Sequence, residues 1–295
     1  KGLGDLHSLY LPCSYQGRRA MATKTTLDTL WRVPDELWVL IAPLLGSEKA
    51  PGTVGRPARS SRQIFDGVLY VLRTGCQWRA LPRQAYGPAS TVHARFSQWV
   101  RSGMFCEAWQ RTLTYYDEVV GIDWKWQALD GAITKAPLGG EATGPSPVDR
   151  AKQGTKRSVL TDGRGAPLSI VVTAANTHDK TVAIQTLDNI VVARPEKVVY
   201  RLHHLCLDKG YDYNDVIAGV LERDYILHAK KRGQTPVLRV GEKFTARRWV
   251  VERTHSWHNR FRRLLVRWEK TLRNYEAMIQ LASILIIFRL AVLCD

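Results

Sequence analysis

Acidic residues are in short supply: 27 Asp and Glu stand against 43 Lys and Arg, leaving a formal charge of +16. Solubility alone does not call for so much charge of one sign, so a polyanionic partner is expected, nucleic acid first and an anionic membrane surface as the alternative. Long apolar runs are missing too. The longest, Leu281 to Phe288, is too short for the ~20 residues that cross a hydrocarbon layer, which predicts a buried helix and no membrane partner. The five cysteines, Cys13, Cys76, Cys106, Cys206 and Cys294, have no zinc-site or disulfide spacing, as expected of scattered reduced thiols in a bacterial cytoplasm. Residues 1–20 lack the continuous apolar centre of a secretory signal, and the first methionine is Met21. Residues 1–28 are therefore read as a poorly ordered extension. A length of 295 residues leaves room for one or two domains.

The first half has helical grammar. Leu37, Ile41, Leu44 and Leu45 recur at helical spacing between Pro34, suited to a first turn, and Gly46, suited to a stop. A basic, breaker-rich arm follows from Gly55 to Arg62. Ile64, Val68, Leu69, Val71 and Leu72 then mark a helix that ends near Gly75. Ser90 to Arg101 forms another, with Val92, Phe96, Trp99 and Val100 as its apolar stripe and His93, Arg95, Gln98 and Arg101 opposite. This order is compatible with a helix-turn-helix reader of DNA, and a small helical bundle with a solvated basic face fits the pattern equally well.

Beyond Gly121 the grammar changes to strands. Trp124 to Ile133, Thr155 to Thr161 and Pro167 to Ala174 are β-branched or aromatic runs, and Asp162-Gly163-Arg164-Gly165 is a hairpin turn signal. A helix over Thr177 to Val191, a strand over Leu205 to Asp208, a helix over Tyr213 to Arg223 and a strand over Tyr225 to Ala229 follow. The fold class predicted is α/β: a ribonuclease-H-like core, a mixed five-stranded sheet with helices (119–295), behind a small all-α helix-turn-helix-like domain (29–118).

Three acids then stand out. Asp130 closes the first strand before Gly131, and Asp208 follows the fourth strand with Gly210 nearby. Glu252 lies in a helix read from Arg247 to Trp268. At roughly 100° per residue, Val250, Trp257, Phe261, Leu264 and Trp268 form one stripe, while Arg248, Glu252, His255, Asn259 and Arg263 fall opposite. Three carboxylates could supply oxygen ligands to two Mg2+ ions ~3.5 to 4 Å apart, one activating the attacking oxygen and the other stabilising the leaving one. An Asp before Gly is also an ordinary turn or cap residue. Among the competing acids Asp162 suits its hairpin, Asp212 a helix cap and Asp179 the start of the helix after Asn176-Thr177-His178; Asp215 also competes.

Several segments resemble the DDE transposases of bacterial insertion sequences, in the group named after insertion sequence five. The matching stretches are Gly55-Arg56-Pro57, Ile64 to Pro82, Tyr86-Gly87-Pro88 with Phe96 and Trp99, Leu129-Asp130-Gly131, Asp208-Lys209-Gly210-Tyr211-Asp212, and Arg248-Trp249-Val250-Val251-Glu252-Arg253. They occur in family order from about Pro34 to Leu290. The resemblance implies that Asp130, Asp208 and Glu252 are the catalytic acids and metal ligands, that Mg2+ (two ions, with Mn2+ as a substitute) is the cofactor, and that Arg248 is the signature arginine. Thr245 and Asn259, with Arg260 adjacent, stand where relatives carry a tyrosine and a lysine. The interval between Asp208 and Glu252 is too short for the β insertion of some relatives.

The implied activity is binding of terminal inverted repeats, hydrolysis at element ends, and 3′-hydroxyl strand transfer into double-stranded target DNA by a homodimer on the nucleoid. The alternatives are a metal-dependent nuclease that does not join strands and an inactive helix-turn-helix binding protein. The residues expected to contact DNA are Arg56, Arg59, Arg62, His93, Arg95, Arg101, Lys152, Lys156, Lys209, Arg248, Arg253, His255, Asn259 and Arg260.

Overall fold

The structure, a computed structural model, describes residues 31–46, 59–195, 202–229 and 247–293. The extension expected over residues 1–28, Arg56 and Thr245 lie outside them. Among the described residues five α-helices come first: α1 (Asp35–Ile41), α2 (Ser61–Thr74), α3 (Arg83–Tyr86), α4 (Ala89–Arg101) and α5 (Met104–Val119). Gly75, in the left-handed region at φ 70°, ends α2 where the sequence placed the stop. The apolar stripe of α4 is buried at Val92, Phe96 and Trp99. These helices share one continuous core with the sheet and the C-terminal helix, so packing does not stop at residue 118.

The sheet is built from β1 (Trp126–Lys135), a two-residue β2 (Gly144–Pro145), β3 (Gln153–Thr161), β4 (Pro167–Ala174), β5 (His203–Leu207) and β6 (Tyr225–Ala229). Among the described residues it therefore has six strands where five were expected, because β2 adds a short pairing to β3 at Gly154 and Gln153. β3 pairs antiparallel with β1 and β4, whereas β1, β5 and β6 run parallel. Three antiparallel strands followed by two parallel ones, in the order β4-β3-β1-β5-β6, form the ribonuclease-H-like sheet.

Alternating side chains divide its faces. Ser158 accepts a hydrogen bond from Thr186 of α6 (Asp179–Asp188) at 2.9 Å. Its neighbour Val159 packs with Trp126, Ala128, Cys206 and Val251, the last from α8 (Trp249–Asn259). Thus α6, with α7 (Asn214–Glu222), covers one face and α8 the other.

The helix read across Arg247 to Trp268 is interrupted. After α8, Phe261 adopts extended geometry (φ −83°, ψ 103°) and the short α9 spans Arg262–Leu265. α10 (Leu272–Leu293, 22 residues) extends well beyond the apolar run that marked it. By length and composition it could cross a bilayer, but 61% of its most apolar window is buried inside the fold, as in a core helix.

Gly140 sits at φ +119°, where a Cβ would lie 2.3 Å from the Lys270 carbonyl oxygen. Gly140→Ala combines a disfavoured dihedral with a backbone clash and should destabilise the protein by about 1–3 kcal/mol. A chemical denaturation midpoint equal to wild type would show that this loop simply moves aside.

Candidate active site

β1 and β5 pair in parallel register with Ala128 opposite Cys206. Asp130 and Asp208 each follow two residues later, so alternation brings both carboxylates to the α8 face at the same level. Asp130 does not end its strand. β1 continues to Lys135 because β3 goes on pairing with it after β5 has left at Ala128. Asp130 therefore lies just beyond the fork where β5 departs, beside a gap in the sheet.

The glycine after it has a steric reason. Gly131 faces the α6 side, where a Cβ would come within 2.6 Å of Asp179 Oδ1. Asp179 opens α6 behind the His178 cap, whose Nδ1 accepts from the Lys180 N–H at 3.3 Å. Its carboxylate pairs at 2.9 Å with Lys156, which also donates to the Thr177 carbonyl at 2.7 Å.

The loop after β5 holds Asp208 by a backbone hydrogen bond, Lys209 N–H donating to its Oδ1 at 2.7 Å. At the N-cap of α8, the guanidinium of Arg248 ion-pairs with Asp208 and, one helical turn along, with Glu252 at 2.9 Å. Asp208 and Glu252 are each about half exposed. Burial raises the Asp130 pKa to about 6; the Gly131 N–H and Arg248 oppose the rise, and Asp208 and Asp179 reinforce it. A carboxyl group in such a position is short of positive charge.

Among the described residues, no three His, Cys, Asp or Glu side chains converge closely enough to hold a metal ion as they stand. Arg248 is the cation that brings two of the three together. The donor set of hard carboxylate oxygens nevertheless suits Mg2+ or Mn2+.

Two residues expected at DNA are buried. His255 keeps only 7% of its surface because it turns toward the sheet, near Arg157 of β3. Burial, then the Arg157 charge, pushes its pKa down to about 3, leaving a neutral imidazole. Lys156 keeps 6% and is committed to Asp179 and Thr177. Neither side chain is placed to meet a phosphate. Asn259 accepts a hydrogen bond from the buried Arg157 at 2.9 Å, so this side chain serves the fold.

Arg62 is tied to Asp35 and the Val33 carbonyl, Arg59 to Gln63, and Arg95 to Gln98 and Ser61. His93 packs edge-on against Trp78. Arg253 donates to the Arg164 carbonyl and lies over both Trp249 and Trp257. Arg101, Lys152, Lys209 and Arg260 are exposed. Sequence reasoning passed over the Lys156–Asp179 pair, since an Asp opening a helix carries no signal of what it will face across the sheet.

Residues 127–287 match the family model described as "Transposase DDE domain". The chain belongs to the DDE transposases. Residues 33–109 of this transposase also match a model described as "Putative transposase of IS4/5 family". Among curated relatives, it is 35% identical over 147 residues to the "Putative transposase for insertion sequence element IS402" of Burkholderia cepacia, covering 49% of this chain and 67% of the relative. A second protein of that species, "Insertion element IS402 uncharacterized 16.2 kDa protein", is 33% identical over 119 residues, covering 39% of this chain and 80% of the relative. The solved structure "Crystal structure of a pre-cleavage Mos1 transpososome" overlaps 83% of this chain and 82% of its own at 11% identity and a TM-score of 0.28; the fold rests on the sheet order, not on that likeness.

Proposed function

We propose that this DDE transposase cuts the ends of a mobile DNA element and joins them to target DNA, with Asp130, Asp208 and Glu252 holding two divalent ions. The observation that carries the reading is the Arg248 guanidinium between Asp208 and Glu252, beside an Asp130 whose pKa burial raises. Divalent ions at these carboxylates would activate the attacking oxygen and neutralise charge on the phosphate. Arg248 keeps the two outer carboxylates from splaying apart and offers a charged fork to a phosphate once they are otherwise engaged. Asp130 fixes one ligand position on the sheet, braced by the Gly131 N–H at 2.9 Å. Exposed Lys209, Arg260 and Lys152, with α2 to α4 as the reader of the terminal repeats, would carry the sequence-independent grip on the duplex. Two ends must be handled together, which calls for a dimer on DNA.

The test is incubation of pre-cut element ends and a target plasmid with the protein and Mg2+. Joined product is expected; cutting without joining would reduce the protein to a nuclease.

Metal loading should also depend on pH. Because the folded-state pKa of Asp130 is raised to about 6, below that pH a metal must displace a proton, and apparent affinity should fall by up to about tenfold per pH unit. Mg2+ titrations of cleavage at acid and neutral pH check this. Equal half-saturation at both would remove Asp130 from the ligand set.

A further inference from the structure

Away from the three acids, helices α2, α8 and α10 enclose a pocket of about 400 Å³. That lies within the roughly 300–1,000 Å³ typical of small-ligand sites. Its walls combine Trp31, Trp257 and Phe261 with the guanidinium groups of Arg73, Arg260 and Arg289, and among the described residues no acidic one lines it. Arg73 lies over the Phe261 ring at 5.7 Å and has a buried Nε without a hydrogen-bond partner. Burial, then the Arg289 charge, lowers the Arg73 pKa. No carboxylate among the described residues is paired to any of the three, and Arg73, the one that is largely withdrawn from solvent, is costly there unless an anion completes it.

The ligand must therefore offer both a flat apolar face and negative charge. Arg253, next to Glu252, is stacked against Trp257 at 4.6 Å and against Trp249, itself 54% exposed, at 4.8 Å. This row links the turn that carries Glu252 to the pocket wall, about two helical turns of α8. We infer that the pocket takes a single unpaired nucleotide of the DNA substrate, its base against Trp257 and Trp31 and its phosphate on Arg73 and Arg289. The inference rests on the proposed DNA function.

The full chain, without divalent metal, is titrated with two duplexes carrying the fluorescent base 2-aminopurine, unpaired in one and paired in the other. Quenching on binding is expected for the unpaired base only. Trp257→Leu should abolish it and weaken binding of that DNA by roughly 5- to 150-fold, leaving the paired duplex unaffected. Arg289→Gln, at an exposed position where folding is not at stake, should weaken the same DNA selectively. Binding of both duplexes without quenching, or wild-type quenching and affinity in Arg289→Gln, would overturn the pocket while leaving the DNA function standing. Failure to bind either duplex would overturn both.

Discussion

Asp130→Asn, Asp208→Asn and Glu252→Gln should each lower DNA cleavage by about three orders of magnitude, since a lost metal ligand costs several kcal/mol of transition-state stabilisation. The substitutions keep side-chain shape. An amide oxygen at 130 can still accept from the Gly131 N–H, and one at 208 from the Lys209 N–H, so the fork between β1 and β5 stays formed. Losing charge at 208 or 252 also frees one arm of Arg248, which adds a cation to the surface. Binding to duplex ends in the absence of metal should therefore be preserved or tighter. Nicking of labelled end DNA is read alongside a gel-shift of the same fragment. A variant that keeps cleavage within tenfold of wild type takes its residue out of the ligand set.

Asp162→Ala should produce the largest loss of stability, about 3–5 kcal/mol. The fully buried Asp162 carboxylate accepts from the backbone N–H groups of Arg164 (2.9 Å), Ala166 (2.7 Å) and Asp123 (3.2 Å) and from the Tyr116 hydroxyl (3.1 Å). Burial still raises its pKa to about 6 against the pull of those donors, so at neutral pH they are what keep an ionised group in the interior. Alanine strands all four, and each unsatisfied buried donor costs about 1–3 kcal/mol before water partly repairs the site. In a chain of this size the thermal midpoint should fall by on the order of 10 °C. A shift below about 2 °C would mean that the β3–β4 turn and the Tyr116 helix hold together without this residue.

This residue also shows where sequence is a good guide. Asp162-Gly163-Arg164-Gly165 announced a hairpin by local chemistry alone, and the carboxylate indeed caps that turn. β4 and β6 have the bounds that alternation and turn residues suggested, and the stop at Gly75 followed from backbone preference. What local pattern could not supply is which polar residues the tertiary fold consumes. His255 is three residues from Glu252 and shares its side of the helical wheel, yet the sheet floor begins between them, so Glu252 faces outward and His255 packs inward near Arg157. Lys156 read as a free cation on a strand, but its partner Asp179 arrives from 23 positions later in sequence. Asp130 was read as the end of its strand because glycine at 131 looked like an exit; that glycine instead leaves room for the Asp179 carboxylate. The break after α8 has no local signal either, since Arg260 and Phe261 are ordinary helix residues, and the chain turns there under tertiary packing.

The central proposal is that Asp130, Asp208 and Glu252 share divalent metal and that Arg248 yields to it. Crystals grown with Mn2+ and measured at its absorption edge test this directly. Anomalous density between the three carboxylates, with Arg248 turned away from Asp208, is the predicted result. Density at other residues only, or a saturated crystal in which Arg248 still bridges Asp208 and Glu252 with no metal between them, would contradict it.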